Sequence, residues 1–167
     1  MKRLIALVVA ASLLMVLAAP VAAKPGKAQG NAYAYGHGDK VTGEIYWDRG
    51  ATMGTGWAKV SAHATKPSMG WFWYGDKLGS YTAKVMWVSI SGDMARLAAD
   101  ITVSTHPGVS TSQYLAIVIK DGGTPGKDVD KLGASVHSSL EAAKTAAATL
   151  VVTETAKEGN FKIHDRD

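Results

Sequence analysis

Two hydrophobic patterns divide the chain. Leu4 to Ala19 is an almost unbroken apolar run, preceded by Lys2 and Arg3 and followed by Pro20-Val21-Ala22-Ala23. From Val41 onward apolar and polar positions alternate instead, the period-two pattern of strands that bury one face. Val41–Trp47 sets Val41, Gly43, Ile45 and Trp47 against Thr42, Glu44 and Tyr46. Trp57–Ala64 sets Ala58, Val60, Ala62 and Ala64 against Trp57, Lys59, Ser61 and His63. Ser68–Tyr74, Tyr81–Ile90 and Asp93–Ser104 predict further strands, the last with Ala95, Leu97, Ala99, Ile101 and Val103 inward. Gly92-Asp93 supplies a hairpin turn before it. Tyr114–Ile119 is apolar at every position, which predicts a central strand covered on both faces.

One segment departs from this period. Ser138–Leu150 is alanine-rich, with Ser138 and Glu141 at capping-box spacing and Glu141 three residues before Lys144. It predicts a helix of one or two turns. Thr149–Glu154 and Asn160–His164 then predict a closing hairpin over Lys157-Glu158-Gly159. Short strands at regular spacing between glycine turns predict an all-β fold, an antiparallel sandwich or barrel-like sandwich with one short helix near the C-terminus.

A basic head, an apolar run and small residues at its end form the secretory signal pattern. The expected division is a signal peptide over 1–23, a Gly-rich N-terminal tail over 24–40 and a single β-sandwich domain over 41–167. Leu4–Ala23 is also just long enough, at about 20 residues, to span a bilayer, but Pro20 and the A-P-V-A-A tail favour cleavage. No second run approaches that length, so no membrane span is expected after cleavage, and the expected location is secreted: periplasm, cell surface or medium. The chain has no cysteine, so its core must hold without disulfides. The net charge of +4 includes Lys2 and Arg3, and no basic cluster follows. Nucleic acid is therefore not an expected partner.

Candidate chemistry is sparse. Trp57 falls on the polar side of its strand. Trp71 and Trp73 share one face of theirs while Phe72 and Tyr74 share the other, so one pair must point away from the core. Exposed indoles on a β-sheet suit stacking on sugar rings, which makes Trp57, Trp71 and Trp73 candidate ligand-binding residues. The stretch Lys120-Asp121-Gly122-Gly123-Thr124-Pro125-Gly126-Lys127-Asp128 is a turn cluster. Asp121, Asp128 and Asp130 near it form a candidate calcium site, and the competing reading has these carboxylates capping the turn's own amides. The five histidines show no metal-ligand spacing, and no G-x-S-x-G elbow is present.

The order Val41-Thr42-Gly43, Gly70-Trp71-Phe72, the Lys120–Asp128 loop and Gly159-Asn160-Phe161-Lys162-Ile163-His164 resembles secreted microbial β-domains of the post-COAP-1 type. Gly122 stands where those domains usually have Asn, and Phe161 where they usually have Ile. The resemblance implies a β-fold and a location outside the cytoplasm, and it implies no chemistry. The expected function is a secreted non-catalytic binding or structural module whose partner is a polysaccharide or cell-envelope component, possessing a calcium cofactor only if the Asp loop binds one. Two alternatives stand beside it: a purely structural or adhesive surface protein, and a hydrolase using His63 or His106 with a carboxylate.

Overall fold

In the computed structural model the described residues are 39–123 and 128–165; the expected signal peptide and residues 24–38 of the expected tail lie outside them. Nine strands form one antiparallel sheet: β1 (Lys40–Asp48), β2 (Thr55–His63), β3 (Trp71–Asp76), β4 (Gly79–Ser91), β5 (Met94–Ser104), β6 (Tyr114–Lys120), β7 (Lys131–His137), β8 (Glu154–Thr155) and β9 (Glu158–His164). Their spatial order is β8-β7-β6-β5-β4-β3-β2-β1-β9. The fold is thus all-β, as the alternation predicts. It is a single curled sheet, the barrel-like of the two expected arrangements.

The concave face holds the core. Val41, Ile45 and Trp47 of β1 meet Phe72, Leu97, Ile117, Leu132 and Phe161, all essentially inaccessible. Each comes from a strand whose alternate positions are apolar, so the period of two becomes one continuous interior. Two irregularities bend the sheet and reset that period. The register of β4 against β5 shifts between Val85 and Trp87, and again between Thr82 and Ala83. The first shift turns Trp87 to the convex side, and the second leaves Val103 exposed at 58%. Strict alternation predicts Val103 inward; the inserted residue of a bulge reverses every later side chain.

Helix α2 (Leu140–Thr149) covers the convex side of β5, β6 and β7. Ala143 and Ala147 close directly onto Ala98 and Ala116, small residues that let helix and sheet approach. This explains why β6 is apolar on both faces. Ser139, not Ser138, is the N-cap, its hydroxyl accepting from the Ala142 amide at 3.2 Å, and the helix runs ten residues, longer than expected. The other helical segments are one turn, α1 (Gly50–Met53), and a 3₁₀ turn at Pro67–Met69.

The C-terminal hairpin does not form. β8 pairs with β7, whereas β9 pairs with β1 at the opposite end of the sheet. The chain crosses between these two edges in two residues, with the Ala156 amide on the Asp130 carbonyl and the Lys157 amide on the Tyr46 carbonyl. The curl brings the sheet's ends together there. Among the described residues, no α-helix packs on the convex face of β1 to β4.

Candidate functional site

Trp57, Trp71 and Trp73 all lie on this convex face. Register explains their grouping. Trp73 and Trp71 are alternate residues of β3, and their rings stack with centroids 6.4 Å apart and planes 28° from parallel. Trp57 of β2 is directly opposite Gly75, two residues beyond Trp73. A Cβ at Gly75 would fall 2.6 Å from Trp57 Cε2, so the indole lies over the glycine and fills the place a side chain would take. The three indoles therefore form a strip over positions 71, 73 and 75, about 13 Å of strand at roughly 3.3 Å per residue. Trp71 remains 36% exposed, and Lys59 holds its ammonium 5.8 Å from the centre of the Trp73 ring.

Gly75 is a positioning residue that alternation could not reveal, because a glycine in a strand reads as a weak point. Gly75→Ala is expected to displace Trp57 from its seat and shift its indole fluorescence while the far-UV spectrum stays that of a β-protein. Emission and circular dichroism spectra of the variant beside wild type check this. The same device recurs on the concave side, where Trp47 lies over Gly56.

Beyond Trp57 the surface dips into a cleft of about 500 Å³ lined by Tyr46, Trp47, Asp48, Thr55, Trp57, Lys157 and Glu158. Its polar groups belong to strand ends: Asp48 gives one carboxylate oxygen to the Gly50 amide at 2.7 Å, and the Lys157 ammonium pairs with Asp128 at 3.1 Å. Tyr46 donates its hydroxyl to Glu44, and burial, with that bond second, pushes the phenol upward.

A second polar cluster sits at the mouth of the curled sheet, where Arg49, Asp76, His106 and Glu154 ring a cavity of about 200 Å³. Tyr74 and Tyr81 stack at 4.7 Å beneath it, and His106 meets both rings edge-on. Burial pushes both phenols upward. Asp76 is itself nearly buried. It accepts from the Tyr74 hydroxyl and the Leu78 amide, each at 2.8 Å, and from the Gly79 amide at 3.3 Å. Burial works to raise its carboxyl, but these donors and His106 outweigh it and hold Asp76 below the usual carboxylate range. His106 places Nε2 3.4 Å from Asp76 and Nδ1 2.9 Å from the Pro107 carbonyl. Both ring nitrogens face acceptors, so neither is directed at a nucleophile in this arrangement. His63 instead bonds Thr65 through Nδ1. The network ties β3 to the β1–β2 turn through Arg49, which bonds Glu154 and lies 3.9 Å from Asp76.

A pH dependence follows from Asp76. Its folded carboxyl titrates below the unfolded one, so its stabilisation is complete above the ordinary carboxylate value and lost as pH falls through the lowered value. Asp76→Asn is expected to narrow the stability difference between about pH 6 and about pH 3. Urea unfolding of both proteins at the two pH values measures it.

The structure separates the three loop aspartates. Asp121 accepts from the Gly123 amide at 2.8 Å and the Ile163 amide at 2.9 Å. Asp130, fully buried, accepts from the Gly122 amide at 2.8 Å and from the Phe161 amide. Burial pushes Asp130 upward, and these two amides pull it back. Asp128 is exposed and paired with Lys157. Among the described residues no group of three His, Asp or Glu side chains converges as metal ligands. Two of the three carboxylates serve amide donors of their own turn and of β9. What sequence reasoning missed is that the second partner of each is an edge strand far along the chain.

Compared with family models, curated proteins and solved structures, the chain has no significant match. Among the described residues no helix is long and apolar enough to cross a membrane.

Proposed function

We propose that the protein is a secreted, non-catalytic binding module whose convex β1–β3 face takes a polysaccharide or another cell-envelope component. The observation that carries this reading is the strip of Trp57, Trp73 and Trp71 on a sheet face that, among the described residues, no α-helix covers. Burying a large planar ring is favourable, and a free protein that leaves three indoles partly open on one surface has a contact surface ready to be covered. Rigid strands hold the rings, so little side-chain entropy is lost on contact. The leader-like residues 1–23 and the resemblance in the Lys120–Asp128 and Gly159–His164 motifs support a location outside the cytoplasm.

The test is depletion of the purified protein from solution by insoluble polysaccharides and by envelope of the source organism. Saturable retention on a polysaccharide, weakened in Trp71→Ala, supports the module reading. Retention on envelope alone favours an adhesive role. Retention on neither sinks the aromatic-surface reading.

A further inference from the structure

Building on that reading, we infer that the ligand is an acidic glycan, with one sugar ring stacked on Trp71 and its acid group held by Lys40, Lys66 and Ser61. A small pocket lies at the Trp71 end of the strip, lined among others by Lys40, Thr42, Ser61, Lys66 and Met69. Register gathers these residues from distant parts of the chain. Ser61 of β2 is directly opposite Trp71, Thr42 of β1 is opposite Ser61, and Lys40 is two residues before Thr42 on the same face. Lys66 stands in the β2–β3 connection, where its carbonyl accepts from the Met69 amide at 3.1 Å. The pocket therefore begins one strand spacing, roughly 5 Å, from the strand that carries Trp71. An acid group on a ring stacked over that indole reaches it without the ring leaving the strip.

Size and charge define what enters. A volume of about 20 Å³ admits roughly one water-sized group, so an acid oxygen fits and a sugar ring does not. The lining includes two ammonium groups and two hydroxyls, and no Asp or Glu. Among the described residues neither Lys40 nor Lys66 forms an ion pair. Asp39, beside Lys40 in the chain, gives its carbonyl to the Ala64 amide and does not line the pocket. Lys162 of β9, opposite Thr42, adds a third ammonium one strand further on. Lys84, on the other side of Trp71, has Asp100 opposite it, so the excess of positive charge lies toward β1. An oxyanion placed here accepts charge-assisted hydrogen bonds. The Trp57 end differs, because Asp48 and Glu158 line its cleft together with Lys157. A chain charged at every unit, such as single-stranded nucleic acid, would bring anions to both ends, and of the two only the Trp71 end lacks lining carboxylates. A glycan acidic at that end suits both.

The experiment measures retention of the protein on neutral polysaccharides, on their lightly carboxymethylated and lightly sulfated forms, and on single-stranded DNA, at low and high salt. The expected result is at least about fivefold stronger retention on an acidic form than on its neutral parent, falling below about twofold in high salt. The acidic form preferred names the acid. Lys40→Gln/Lys66→Gln should lower retention on the acidic form to that of the parent, whereas Lys120→Gln/Lys131→Gln, the same charge change on β6 and β7, should leave the preference intact. Equal or stronger retention on the neutral parent, a preference that survives Lys40→Gln/Lys66→Gln, or equal retention on DNA overturns the acidic-glycan inference and leaves the module reading in place. So does retention on envelope alone that Trp71→Ala weakens and Lys40→Gln/Lys66→Gln does not. Retention on no polymer, with Trp71→Ala indistinguishable from wild type on envelope, overturns both.

Discussion

Asp130→Ala is expected to lower the stability of the protein by about 4 kcal/mol, because it strands two amide donors at roughly 1–3 kcal/mol each. The carboxylate joins parts of the sheet that no strand pairing connects. One oxygen accepts from Gly122 in the β6–β7 turn, and the other accepts from Phe161 in β9, the strand at the far end of the order. Asp121 repeats the arrangement with Ile163, two residues along β9. Together the two carboxylates occupy the open edge of β9, where a neighbouring strand's carbonyls would otherwise sit, and blunt an edge that would invite pairing with another chain. Phe161 is fully buried, so water cannot replace its lost acceptor without opening the core. Asp128→Asn is the contrast: an exposed ion pair with Lys157 contributes at most about 1 kcal/mol. Chemical denaturation of the two variants separates a carboxylate clasp, in which Asp130 dominates and Asp128 is nearly silent, from a metal site built on all three, in which both losses are large and depend on calcium.

Trp73→Ala is expected to weaken polysaccharide binding about thirtyfold or more, the loss of roughly 2 kcal/mol typical of a central aromatic anchor. Trp73 is the middle ring, next to Trp71 at 6.4 Å on one side and followed by the Trp57-covered Gly75 on the other. Removing it breaks the strip into two isolated rings. Its side chain points away from the core, so unfolding should change far less than for Trp47→Ala, which empties a site only 2% exposed and should cost about 3–5 kcal/mol. Binding isotherms and denaturation curves of the two variants together show whether loss of binding is separable from loss of fold.

Particular residues show what the sequence disclosed. The alternation in β1 and β2 placed Trp47 inward and Trp57 outward, and the Trp-Phe-Trp-Tyr run placed two indoles on one face. Both follow from the strand period alone, so the face on which each indole lies was legible. Their assembly was not, because it depends on the cross-strand register that sets Trp57 on Gly75. The face of Val103 was misread because a bulge leaves no mark in composition. β7 keeps the period, with Leu132, Ala134 and Val136 alternating against Lys131, Gly133, Ser135 and His137. The run is short, however, only Leu132 of its apolar side chains is fully buried, and it follows a glycine-rich turn cluster that masks it. The expected terminal hairpin failed because β9 finds in β1 a partner more than a hundred residues earlier, a pairing no local turn announces. The mouth network joins Arg49, Asp76, His106 and Glu154 from four separate segments, and only the Tyr74–Asp76 spacing within β3 is local.

The most direct measurement follows the five tryptophan indole N–H signals by NMR while a retained glycan is titrated in. All five tryptophans fall within the described residues, two of them away from the strip: Trp47 in the core and Trp87 facing α2. The account predicts that the Trp57, Trp71 and Trp73 signals shift together along one saturation curve while Trp87 stays fixed. A titration that moves Trp87, or that saturates with the three convex indoles unmoved, contradicts it.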